Sequence, residues 1–220
     1  VCAKKPTKIT DPKGNGTDFT YSTVHGGVLT ETSPGAPGGV RPQKRYTYGQ
    51  FSSSYKNASN TQSAFAAPAW LVTTIFECRT LASCAGTADE IVTSFTYGAA
   101  GTVEQQQMTS KTVRAGDNSV STTTSFTYDA NGDKVTEDGP LSGTADATRW
   151  RYDILRRVIG VISPDPDGSG SLKHLAVRNT FDVFGRLSKV EKGIVNSQSD
   201  ADWAAFVAQE SVETDYDLMD

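Results

Sequence analysis

Two histidines, three cysteines and one close pair of aspartates are the residues whose chemistry is specific enough to test first. His25 and His174 lie far apart, and neither has Glu or Cys at metal-ligand spacing, so both read as loop residues without a zinc or catalytic role. Asp165 and Asp167 stand two apart ahead of glycine in SPDPDGSGSL (163–172), as at the start of a calcium loop. Such a loop needs a bidentate glutamate at its twelfth position, which counted from Asp165 is Ala176, so a Pro-Asp-Gly turn is expected instead. Cys78 and Cys84 bracket RTLAS between two strand-like runs, where a disulfide is expected over two free thiols. Cys2 is left over, with no nucleophile signature around it. No Gly-x-Ser-x-Gly, Walker or dinucleotide motif occurs. No catalytic, metal-ligating or cofactor-binding residue is assigned, and the chain is expected not to be an enzyme.

The elements that carry these residues read as strands. Thr, Ser, Val and Tyr are abundant, with 20 Gly and 9 Pro among 220 residues, and 36% hydrophobic residues can supply a core. An all-β chain with many turns is expected. Residues 1–60 hold 8 basic and 3 acidic residues while 61–220 hold 13 and 22, a split read as scattered surface charge, with head-to-tail contact between neighbouring segments or copies as the alternative. No basic stripe suggests nucleic acid, and no apolar run approaches the roughly 20 residues of a membrane span. The chain reads as an internal piece of something longer.

One layout recurs along it. RYTYGQ (45–50), TSFTYGAAGT (93–102), TSFTYDANGD (124–133), RWRYDILRRVIGV (149–161), RNTFDVFGRLSKV (178–190) and ETDYDLMD (213–220) each run from an alternating strand to an aromatic, then Asp or Gly, then a turn. KITDPKGNGTDFTYS (8–22) is a weaker copy. The aromatics Tyr48, Tyr97, Tyr128, Tyr152, Phe181 and Tyr216 fall 24 to 49 residues apart, so the unit is fixed and the loops vary. Asp129 can bond its own backbone two residues on, and Gly132 takes positive φ freely, which favours a short turn with a bulge.

On these residues the chain resembles the YD-repeat or Rhs family, whose core reads roughly Tyr-Asp-x-x-Gly-Arg-Leu followed by a strand. TFDVFGRLSKV carries Phe181 for the tyrosine and has Asp182, Gly185, Arg186 and Leu187 on pattern; FTYDANGDKVTE places Asp133 where arginine is expected. RYDILRRVIGV keeps Tyr152, Asp153 and Arg157 but has Arg156 at the glycine, and the final copy stops after Tyr216-Asp217. The resemblance implies one array of antiparallel hairpins over 1–220, weak in 1–92 and clear in 93–220, forming a long twisted or spiralling sheet. It further implies a bacterial, secreted or cell-surface shell that encloses a toxin or other cargo. The self-cleaving aspartate motif of some members is not found. The alternative is an adhesin that binds carbohydrate on Trp70, Trp150, Trp203 and the tyrosines, although aromatics on strands serve cross-strand packing more often.

Two insertions break the pattern. In SQSDADWAAFVAQESV (197–212), Ser199 suits an N-cap, Asp200 and Asp202 suit a first turn, and Trp203, Phe206 and Val207 share a face, so one short helix near 199–210 is expected to pack on the sheet. YKNASNTQSAFAAPAW (55–70) reads as a long loop, and PGAPGG (34–39) as an extended or mobile one.

Overall fold

The computed structural model describes residues 5–35, 39–102, 104–168 and 170–217; Cys2, the middle of PGAPGG and the end of the last repeat lie outside them. The expected all-β architecture is present: the described residues form sixteen strands and one helix, and fourteen strands make one antiparallel sheet whose order follows the chain. Alternating Thr, Val and aromatic side chains suit a pleated, half-buried surface. Contacts group the chain into two units, residues 1–123 and 124–220.

In the first unit β1 (Lys8–Thr10), β2 (Gly16–Tyr21), β3 (Val28–Thr32) and β4 (Gln43–Phe51) follow one another. The stretch expected to be a loop instead holds a separate hairpin, β5 (Ser54–Lys56) and β6 (Gln62–Ala64). Asn57 makes this turn: its Oδ1 accepts from the amides of Ser59 and Thr61, while Asn60 takes φ 57°. β7 (Ala69–Cys78) returns to pair with β4, and β8 (Glu90–Tyr97) and β9 (Met108–Ala115) complete the unit. Cys78 and Cys84 are joined with their Cα atoms 5.6 Å apart, and both are buried. Asp89 lies beside the two sulfurs, which are spent on each other, and its carboxylate accepts from Thr80 and Leu81. The bridge is expected to survive in protein matured in an oxidising compartment. Unreduced mass spectrometry checks this, and recovery of two alkylated thiols would contradict it.

The second unit takes up the chain within β10 (Ser121–Tyr128) and continues through β11 (Lys134–Asp138), β12 (Thr148–Tyr152), β13 (Val158–Ile162), β14 (His174–Phe181) and β15 (Leu187–Val195). The expected helix proves much shorter, α1 (Asp200–Ala204), and residues from Val207 on are not helical but form β16 (Val207–Glu213). A two-turn helix is marginal alone, whereas an extended chain satisfies the edge of β15 along its length, pairing Val207 with Ile194 and Glu213 with Lys189.

The cap on α1 is as expected, with Ser199 accepting from the amide of Asp202 at 3.1 Å. Arg149 and Arg151 hold this segment down by donating to the carbonyls of Gln198 and Ser199 and to Asp200. The Trp203 indole packs against Gly160, where an added Cβ would sit 2.5 Å from it. Beneath the segment Ile162, Ala176, Val195 and Phe206 form a buried cluster. His174, expected in a loop, instead begins β14, and its Nδ1 lies 2.9 Å from the carbonyl oxygen of Ser163.

Candidate functional site

The feature repeated most faithfully is the junction between one hairpin and the next. In six hairpins the register shifts at an aromatic of the leading strand: Tyr21, Tyr97, Tyr128, Tyr152 and Phe181 at the strand's last residue, and Tyr48 three residues before the end of β4. Each bulge comes at the aromatic, and within each unit the ring is re-aimed toward the preceding repeat. Five tyrosine hydroxyls donate to a backbone carbonyl of the preceding repeat: Tyr21 to Pro6, Tyr48 to Val28, Tyr97 to Val72, Tyr152 to Lys134 and, in the last copy, Tyr216 to Leu187, at 2.8–2.9 Å. Val28, Val72, Lys134 and Leu187 are the residues that pair with the previous repeat's aromatic. Phe181 has no hydroxyl, and the side-chain amide of Asn179 donates to Val158, the partner of Tyr152, at 3.0 Å. The interaction is thus kept when the usual donor is missing. Burial raises the pKa of Tyr48, Tyr97 and Tyr152, so these hydroxyls hold their protons and remain donors.

The turn after the aromatic is built by the aspartate. The Oδ1 atoms of Asp129, Asp153 and Asp182 each accept from two amides, two and four residues on, at 2.8–3.0 Å. The residue three places beyond the aspartate sits left-handed: Gly132 at φ 81°, Gly185 at 84° and Arg156 at 64°. Where the pattern has arginine next, it clamps the same carboxylate: Arg157 Nε to Asp153 at 2.7 Å and Arg186 Nε to Asp182 at 2.8 Å. Each guanidinium also lies over the next repeat's aromatic, Arg157 over Phe181 and Arg186 over Tyr216. The two departures noted in the sequence belong together. Asp133, in place of arginine, accepts two hydrogen bonds from Arg156, in place of glycine, at 2.7 and 2.9 Å.

In the two copies with Gly after the aromatic, Tyr48-Gly49 and Tyr97-Gly98, no aspartate turn forms. Residues 52–68 take its place in the first copy and residues 98–102 and 104–107 in the second, and the two stretches bond to each other. Gln105 accepts from the amide of Ser54 at 2.8 Å and donates to its carbonyl at 2.7 Å, and Gln106 donates to Phe51 at 2.8 Å. Sequence reading missed this lock, because glutamines 50 residues away carry no local signal. It also passed over Tyr21 as a junction residue, although Thr20-Tyr21-Ser22 parallels the other copies.

The tryptophans expected to offer stacking faces are engaged within the fold. Trp150 lies under Lys134 at 4.1 Å, Trp203 covers Gly160, and Trp70 stacks on His25 at 4.5 Å. Asp165 accepts from the amide of Asp167, and Asp167 from that of Leu172, so both serve the turn joining β13 to β14.

Electrostatics give the junction an acid limit. Asp153 is held below the usual carboxylate range by the Arg157 amide and side chain, Asp133 by the Arg156 guanidinium and Glu191 by Arg178. A carboxylate depressed in the fold contributes stability that is complete above its unfolded pKa, about 4, and is lost as pH falls through the lower folded value. Melting midpoints are therefore expected to stay level down to about pH 5 and fall steadily below about pH 4. Thermal melts across this range check it, and a midpoint that rises on acidification would contradict the assignment.

Compared with known proteins, the chain matches no family model and no curated protein. Among solved structures, similar chains occur in the crystal structure of TcdB2-TccC3-Cdc42, at 15% identity and TM-score 0.45 over 84% of this chain. Others occur in TcdB2-TccC3-TEV, at 14%, 0.44 and 82%, and in a Tc holotoxin pore of Photorhabdus luminescens with a mutated TccC3, at 14%, 0.40 and 84%. In each case the match spans 9% of the other chain's length.

Proposed function

We propose that this chain is a non-enzymatic structural segment of a secreted or cell-surface bacterial protein, a repeat-built wall that encloses or carries another polypeptide. The observation that carries this reading is the junction itself. A unit that bonds to its predecessor and presents the same features to its successor propagates a sheet by one rule, as scaffolds built from repeats do. The Cys78–Cys84 bridge fits an oxidising compartment. No cofactor is invoked, and the repeated geometry of Asp129, Asp153 and Asp182 is spent on turns. Limited proteolysis of the native polypeptide that carries the segment tests the proposal. Its non-repeat portion should be cut only when denaturant opens the sheet; equal cutting with the sheet folded would overturn the reading.

A second reading, carbohydrate binding, draws on one observation. Tyr55 and Phe65 on the β5–β6 hairpin are 47% and 54% exposed, with ring centroids 4.9 Å apart. A glycan array separates the two readings, since the scaffold retains no sugar and the adhesin does.

A further inference from the structure

One loop away from the repeat junctions gathers two sulfurs and a carboxylate. The ligand atoms of Cys78, Cys84 and Asp89 all lie within 4.8 Å of one another. Cys78 ends β7 and Asp89 stands immediately before β8, and the amide of Arg79 donates to the Asp89 carbonyl at 3.2 Å, so the sheet itself sets these two side by side. Cys84 is placed by the loop. Its carbonyl accepts from the amide and the hydroxyl of Thr87 at 3.0 and 2.7 Å, and the Gly86 amide closes the turn on buried Glu90 at 2.9 Å. Glu90 is fixed in turn by Arg45 at 2.6 Å. None of these bonds involves the Cys78–Cys84 bridge. Reduction therefore removes one of several ties on the loop and leaves two buried thiols close together beside Asp89. The carboxylate is itself held in place, as outer partners hold a metal ligand. It accepts from the amide and hydroxyl of Thr80 and from the amide of Leu81. Those three donors fill three of its roughly four acceptor sites and leave one for a cation.

We infer that the reduced loop is a metal site, in which the thiolates of Cys78 and Cys84 and the carboxylate of Asp89 hold one soft divalent cation of the zinc or cadmium class. A tetrahedral zinc, with bonds of about 2.3 Å to sulfur and about 2.1 Å to oxygen, spaces its ligand atoms about 3.7 Å apart. The three atoms already lie within reach of that spacing, and side-chain torsion supplies the rest. Two thiolates select a soft cation over calcium or magnesium, and with one carboxylate they leave a fourth position for water. The chemistry balances with an external reductant. A phosphine takes the oxygen of one water to become its oxide, while the bridge gains two electrons and two protons as two thiols. Each thiol then loses its proton to solvent as its sulfur binds the cation. The inference goes beyond the scaffold reading and does not rest on it: the loop is clasped by a covalent bridge in an oxidising compartment and by a cation in a reducing one.

Cadmium alone, added to the phosphine-reduced chain, tests this in a Cys2→Ser background that removes the third thiol. A thiolate-to-cadmium absorption band is expected to saturate at one cation per chain, with two protons released. The oxidised chain should give no band. Asp89→Asn should weaken binding by at least about tenfold. Thermal melting separates a folded site from chelation by an open chain: cadmium should raise the midpoint of the reduced protein, since a cation stabilises the state that binds it, and leave the oxidised protein unmoved. Melting of oxidised Asp89→Asn, whose loop is still bridged, shows whether that variant folds; should it not, the midpoint shift of the unsubstituted carboxylate decides the matter. No band after reduction, a band of equal strength in the oxidised chain, a midpoint that cadmium leaves unchanged or lowers, or undiminished affinity in folded Asp89→Asn would each overturn the inference. Protease protection in the native polypeptide is read without any metal, so the scaffold reading stands or falls separately.

Discussion

Replacing Ile162 by Ala is expected to lower stability by about 2–5 kcal/mol, the range for emptying a fully enclosed aliphatic site. Ile162 has no exposed surface. It faces Arg149 on one side and Ala176 on the other, and packs with Val195 and Phe206 below the segment that carries Trp203. The segment is held by two arginines and cannot sink by the width of three carbons without breaking their bonds to Gln198, Ser199 and Asp200. The cavity therefore stays open, and its lining loses its contacts. Leu175→Ala, one residue away along β14 but 60% exposed, serves as the control and should change stability by less than about 1 kcal/mol. Urea unfolding of the two variants decides it. Equal midpoints would mean that residues 197–206 are not packed on the sheet.

Replacing Gly185 by Val is the second large effect, a loss of about 1–3 kcal/mol from forcing a β-branched residue into a left-handed conformation. Gly185 sits at φ 84°, and its amide closes the turn on Asp182 at 3.0 Å. An added Cβ would also lie 3.2 Å from the Arg157 guanidinium, a group that reaches Phe181. The cost thus spreads from the turn into the junction with the preceding repeat. Gly185→Asn should cost much less, because Asn tolerates this conformation. Melting midpoints that rank Val and Asn equally would show that backbone conformation is not what selects glycine here.

How much of this could be read in advance depended on how local the signal was. The hairpins at Asp129, Asp153 and Asp182 were legible because an aspartate bonding its own backbone and a left-handed residue three further on are both encoded within five positions. The short helix was legible as far as its cap. Its end was not, since the open edge of β15 that draws Val207–Glu213 into a strand lies nowhere in that stretch. The link from each hydroxyl to the preceding repeat was hidden for a similar reason: donor and acceptor stand 15 to 29 residues apart, and the acceptor is backbone, which any residue supplies. Asp133 and Arg156 looked like two unrelated lapses from a pattern; the fold makes them one ion pair.

Within each unit one bonding rule joins a repeat to the next, and the Phe181 junction puts that rule to the test. There the donor to Val158 is Asn179, not a phenol. Asn179→Ala should cost about 1 kcal/mol, the typical net worth of such a bond plus the exposure of a bare carbonyl. Phe181→Tyr supplies the hydroxyl that the other junctions use, so the double variant, measured by the same urea unfolding, should recover most of that loss. Full additivity, with the tyrosine giving no rescue, would contradict the rule.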